Sequence, residues 1–120
     1  MENGFDFELY GTIFKNCFIE RSTYSNGNLQ LSLFGVDPAT DEVAHFVDIS
    51  LEQNTKIVGE NEIVVDCKYR PTFISQLKEL GILKEQTGIC VIFDMIYPIY
   101  TVDFSVIKKN VNQLQELLVA

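Results

Sequence analysis

His45 is the chain's one histidine, so any mechanism that needs a general base near neutral pH rests on it. It stands in an alternating run: Val43, His45, Val47, Ile49 and Leu51 on one side, Ala44, Phe46, Asp48, Ser50 and Glu52 on the other. That alternation predicts His45 on an apolar strand face, the setting of a hydrogen-bonded core or edge residue rather than a catalyst. Ser-His-Asp and Cys-His chemistry needs a nucleophile within reach of the base, and no serine or cysteine spacing marks one. Carboxylate pairs can act without histidine in glycosidic or metal-assisted reactions. Asp37, Asp41 and Glu42 flank one loop, and Glu60 and Glu62 flank another. Neither group has calcium-loop spacing, and neither repeats as a two-metal motif would. The reading is no catalytic residue, no metal and no cofactor; the five loop acids are candidate contacts for a partner.

Thr87-Gly88 is too short to be a phosphate loop, and no glycine-rich signature leads into Lys-Ser or Lys-Thr. Cys17, Cys67 and Cys90 are odd in number, widely spaced and without a C-x-x-C, which reads as reduced thiols packed as small hydrophobes. The polar start Met1-Glu2-Asn3-Gly4 lacks the layout of a secretory signal, and no apolar run nears the roughly 18 residues that cross a bilayer. A cytoplasmic protein with no membrane partner is expected.

Charge restricts the partners further. Seventeen Asp and Glu against nine Lys and Arg give a formal charge of -8. Such a surface repels phosphate backbones and attracts basic ones. Phe18, Tyr24, Tyr97 and Tyr100 offer stacking surface but no basic groove to accompany it, so direct nucleic-acid binding is not expected. Imitation of DNA by an ordered acidic face stays open.

These side chains need a scaffold, and 120 residues, 47% of them apolar, suffice for one domain with its own core. Phe5, Phe7 and Leu9 alternate with Asp6 and Glu8 as a first strand. Ile13 to Tyr24 and Leu29 to Phe34 flank Ser25-Asn26-Gly27-Asn28, where Asn-Gly predicts a tight hairpin with positive φ angles. The run from Val43 extends the hairpin into a meander, and Ile63-Val64-Val65 marks a short strand. Pro71 to Leu80 predicts a helix with the stripe Phe73, Leu77, Leu80, stopped by Gly81 with Ile82 folding back on its last turn. Ile89 to Phe93 and Tyr97 to Val102 predict a strand pair with Met95 to Pro98 as bend or edge. Ser105 is placed to cap a last helix with the stripe Ile107, Val111, Leu114 and Leu118, which packs on the sheet or forms a homodimer contact. The expected fold is one α+β domain over 1–120, an antiparallel sheet of meander and hairpins covered by two helices.

Asn26-Gly27-Asn28-Leu29-Gln30-Leu31-Ser32-Leu33, Val65-Asp66 with Pro71 five residues on, Gly81 ten residues after that proline, Thr87-Gly88 and Tyr97-Pro98-Ile99-Tyr100 follow one another in order. Over about Tyr24 to Phe104 this resembles an uncharacterised small-domain family carried on bacterial conjugative elements and plasmids. Cys67-Lys68-Tyr69-Arg70 stands where that family has a run rich in Thr and Asn, and a strand region precedes the hairpin. The resemblance implies a mobile-element setting and no catalytic residues. Small acidic proteins of that setting look like anti-CRISPR and antirestriction inhibitors, an analogy of context. The leading expectation is a non-enzymatic binding module blocking a basic nucleic-acid-binding protein. An immunity protein against a basic toxin is the alternative, and a small enzyme using His45 or a carboxylate pair the third reading.

Overall fold

The computed structural model describes residues 4–54 and 58–106. Alternating apolar residues build two antiparallel sheets. β1 (Phe5–Leu9), β2 (Thr12–Thr23), β3 (Leu29–Val36) and β4 (Val43–Asp48) form a four-stranded meander in sequence order. β5 (Glu62–Val64), β6 (Leu83–Ile92) and β7 (Met95–Val102) form a three-stranded sheet with β7 in the centre. α1 (Phe73–Glu79) precedes β6.

One contiguous core joins the sheets. Leu29, Leu31 and Leu33, two residues apart on β3, turn to the same face and meet Phe7, Ile19, Ile63, Val65, Leu83 and Tyr100. Ile49 to Leu51 carries the chain across: the Ile49 amide donates to Leu31 O (2.8 Å) and the Leu51 amide to Val64 O (2.8 Å). Ser50 is buried there and remains satisfied, because its hydroxyl accepts the Leu31 amide (3.0 Å) and bonds the Tyr24 hydroxyl (3.0 Å).

α1 ends as its sequence requires. Gly81 takes φ +78°, the Ile82 amide donates to Leu77 O and the Gly81 amide to Lys78 O, both at 3.0 Å, which is the complete Schellman pairing. Phe73 and Leu77 enter the core, each burial being worth roughly 1.5–3 kcal/mol. The expected pair of covering helices takes another form. α1 spans only seven residues beside β1 and β6, and of the last helix only a first turn, Phe104 to Val106, is described. Asp103 caps that turn in place of Ser105: its Oδ1 accepts the Ser105 amide (2.9 Å) and hydroxyl (2.6 Å). Ile107, Val111, Leu114 and Leu118, the expected stripe and homodimer contact, lie outside the described residues.

Two turns differ from expectation. At Asn26-Gly27 only Gly27 has positive φ (87°). The hairpin itself is where Asn-Gly placed it: the Gly27 amide donates to Tyr24 O and the Tyr24 amide to Asn28 O, a three-residue loop with glycine in the left-handed position. The Asn26 side chain is employed instead as a strut, donating to Gln53 O (2.6 Å) and accepting the Asn28 amide (3.0 Å). Secondly, Met95 to Pro98 is strand, and the bend is Phe93-Asp94, with φ 46° and 66°. Pro98 fits the central strand because it lies opposite Ile89 in a non-bonded pair. Its backbone faces the β5 side beyond Val64, where only its carbonyl is used, by the Val65 amide (3.0 Å).

Candidate functional site

The outer face of the meander gathers the polar side chains whose spacing suggested chemistry. Glu20 and Ser22 of β2, Gln30, Ser32 and Phe34 of β3, and His45 and Asp48 of β4 line one shallow groove. Strand pairing sets the order, with Glu20 opposite Ser32 and Ser32 opposite Asp48.

His45 reaches this face through a β-bulge. Leu33 pairs with Val47 and Phe34 with His45, so Phe46 is the extra residue. Before the bulge the odd-numbered side chains face outward; after it the even-numbered ones do. Strict alternation predicted His45 beside Val47 on an apolar face, and the bulge separates them. Phe46 turns onto Phe14 (ring centroids 4.7 Å apart) in space left by Gly35, where a Cβ would lie 2.7 Å from the Phe46 ring. His45 is exposed and packs edge-on against Phe34, centroids 5.2 Å apart.

Asp48 is the hub of the groove. Its Oδ1 accepts the Ser32 hydroxyl at 2.8 Å and lies 2.8 Å from His45 Nε2. In a Ser-His-Asp relay the histidine stands between nucleophile and carboxylate. Here the carboxylate stands in the middle, and the Ser32 proton is committed to Asp48 instead of being shared with His45. The arrangement holds three polar groups in a fixed order without placing His45 on the Ser32 hydroxyl. Among the described residues no three His, Cys, Asp or Glu side chains converge to hold a metal ion.

The five acids singled out by sequence fall into two places. Asp37, Asp41 and Glu42 form the β3–β4 loop, at the end of the ribbon whose face carries His45 and Asp48. Asp37 shapes that loop: its Oδ1 accepts the Ala39 amide (2.8 Å) and its carbonyl the Asp41 amide (2.7 Å), with Asp41 left-handed at φ 58°. Glu60 lies at the opposite end of β3, in a cleft with Arg21, Thr23, Gly27, Leu29 and Phe104. Eight strand residues at ~3.3 Å each set the two loops on the order of 25 Å apart, so the five acids form no single patch. Glu62 braces its own loop. Its carboxyl is held below the usual range by the Thr87 hydroxyl and by the Gly59 amide, 2.7 Å from Oε1.

No family model, curated protein or solved structure matches this chain. Its chemistry is therefore read from its own groups. Sequence reasoning passed over Glu20 and Asp48, although Glu20 and Ser22, alternating with the core residue Ile19, mark the face of β2 turned away from the core. Around them the surface is acidic and largely unneutralised. Among the described carboxylates only Asp48, Asp66 and Asp103 stand within 4.0 Å of a basic nitrogen or of His45. Arg70 is already committed, donating from Nη1 to Asp48 O (3.0 Å) and Asp66 O (2.8 Å).

Proposed function

We propose that this protein is a non-enzymatic binding module whose acidic β3–β4 ribbon docks on a basic protein surface. The observation that carries the reading is the unneutralised state of its carboxylates on a chain of charge -8. Asp37, Asp41 and Glu42 supply the tip, and Glu20 the adjoining sheet face. A turn and a sheet face that hold carboxylates in place offer a basic groove negative charge in fixed positions, as a nucleic-acid backbone does, without the need to order a flexible tail. The partner class is a nucleic-acid-binding protein, and the action is to block it, as an accessory or anti-defence protein of a mobile element would.

The test is capture of partners by the full chain, followed by competition. A blocked nuclease or nucleic-acid-binding complex should lose its nucleic acid as this protein is added, and the association should weaken as salt rises. Replacing Asp41, Glu42 and Glu20 together by Asn and Gln should slow association by roughly tenfold while changing dissociation little. A captured nuclease that keeps full DNA affinity and full cleavage at saturation overturns the reading. Recovery of a basic toxin, neutralised on binding, would make this an immunity protein instead.

A further inference from the structure

Of the four sheet edges, one is short and two carry side-chain hydrogen bonds to their backbone. At β1 the Gln76 side chain of α1 takes both backbone groups of Glu8, accepting its amide (2.7 Å) and donating to its carbonyl (3.0 Å). At β4 Arg70 covers Asp48 O (3.0 Å). β5 has three residues. β6 differs. The two-residue turn at Phe93-Asp94 makes Ile92 and Met95 a bonded pair, so Cys90 bonds Tyr97 while the backbones of Ile89 and Val91 face away from β7. Among the described residues no hydrogen bond reaches those outward groups.

The same hairpin projects beyond β5, whose last pair is Val64 with Ile99. Its outer surface is apolar: Ile89 is 57% exposed, Val91 62%, Ile96 63% and Phe93 96%. From Gly88 to Tyr100 the only charge is Asp94. With Met95 these side chains expose on the order of 600 Å², against the ~800 Å² per partner of a standard protein interface. Phe93 also holds φ 46°, in a turn position that favours Asn, Asp or Gly.

We propose that two copies of this chain pair through β6, antiparallel about Cys90, joining their three-stranded sheets into one of six strands. This surface is separate from the acidic ribbon and does not depend on the function read there. The register follows from hydrogen-bond parity. With Cys90 opposite Cys90 of the second copy, each Ile89 meets a Val91, and these are the residues whose backbone groups point outward. Their side chains share the exposed face, so the strand is complementary to itself. Charge selects this occupant: two chains of charge -8 repel at their acidic loops and can meet closely only along an uncharged segment. A basic partner finds nothing here to pair with, and an anionic lipid surface finds Asp94 at the tip.

Sedimentation of the full chain from low micromolar to near-millimolar concentration should show a monomer–dimer equilibrium that tightens as sodium chloride is raised. Val91→Lys, at a surface position, should weaken dimerisation by roughly tenfold or more, with the monomer's circular dichroism and melting transition preserved. Mild oxidation should trap a dimer through Cys90, since directly opposed residues of a non-bonded antiparallel pair bring Cα atoms to about 4.5 Å, within disulfide reach. Cys90→Ser should abolish the trapped species and leave the reversible dimer. The proposal is overturned by a chain that stays monomeric at every concentration and salt, by a dimer indifferent to Val91→Lys, or by a disulfide that forms through Cys67 instead. A monomer that sediments with phosphatidylcholine vesicles, and ceases to when Phe93 is replaced by Asn, would assign the tip to lipid and likewise overturn it.

Discussion

Individual side chains divide here into those committed to structure and those left exposed at the surface. Cys17 belongs to the first group: it is fully buried, and burial, with the Asp6 charge as a smaller contribution, pushes its thiol up to about 12. Because the thiolate is the reactive form, Cys17 should resist a disulfide reagent in the folded protein. Cys67 and Cys90, both partly exposed, should react first. Timed thiol titration with peptide mapping reads the order, and early labelling of Cys17 would contradict the packing. Glu62 gives a pH-dependent counterpart. Its folded carboxyl titrates below its ordinary value of 4.5, so the stability it contributes is present above that value and is lost as pH falls through the lower, folded one. Glu62→Gln keeps an acceptor for the Gly59 amide but cannot titrate. The stability gap between the two proteins should therefore narrow as pH drops past 4.5, measured by denaturant midpoints. His45 is half-exposed, as is its partner Asp48. Its replacement by alanine should cost less than ~1 kcal/mol, the scale of an exposed pair, and remove no function beyond what that cost explains. Loss of a defined catalytic activity in a folded His45→Ala protein would restore the enzyme reading.

At the scale of elements, what was legible in the sequence was whatever one short stretch determines. The strands carrying Phe5, Phe7 and Leu9 and Leu29, Leu31 and Leu33 stand as read, and so does the stop at Gly81, while the helix expected over Pro71 to Leu80 is shorter, Phe73–Glu79; periodicity and a left-handed glycine act within a few residues. The candidate site was only half legible. Its loop acids were visible in the sequence. The groove depends on a bulge at Phe46 made possible by Gly35, two residues on different strands with no local sign of each other. The turns at Tyr10-Gly11 and Phe93-Asp94 carry an aromatic where Asn is usual, and so gave no turn signal. Gln76 shows the same limit: a glutamine on a helix reads as solvent-facing until β1 is found beside it. Gln76→Ala removes both bonds to Glu8 and should destabilise the fold by about 1–2 kcal/mol, with amide exchange at β1 rising more than at β3. Gly35→Ala forces a Cβ into the Phe46 ring and should cost about 1–3 kcal/mol. Beyond the stability loss, it should displace His45 from Phe34, visible as a loss of ring-current shift on the His45 protons.

For the molecule as a whole, charge links folding to the partner binding and the self-association proposed above, and salt separates them by sign. Folding a chain of charge -8 gathers its carboxylates, so self-repulsion opposes the compact state. Few ion pairs offset this: among the described residues Arg70 with Asp66 (3.9 Å) and Lys84 with Asp103 (3.6 Å), both near the limit of contact, and the His45–Asp48 pair. Screening therefore removes more repulsion than attraction. Raising sodium chloride, which shortens the Debye length from about 30 Å at 0.01 M to about 3 Å at 1 M, should stabilise the monomer. A gain on the order of 1 kcal/mol corresponds to a rise of about 4 °C in melting temperature for a domain of this size. Pairing through β6 should strengthen in the same direction, since the arms meet without charge while the bodies repel. Docking of the acidic ribbon on a basic partner should weaken, because there the charges are the attraction. One salt series on one protein thus yields two slopes of one sign and a third of the other. A melting temperature that falls as salt rises would mean that local ion pairs outweigh the summed repulsion, and the unneutralised acidic surface would lose its place as the basis of function.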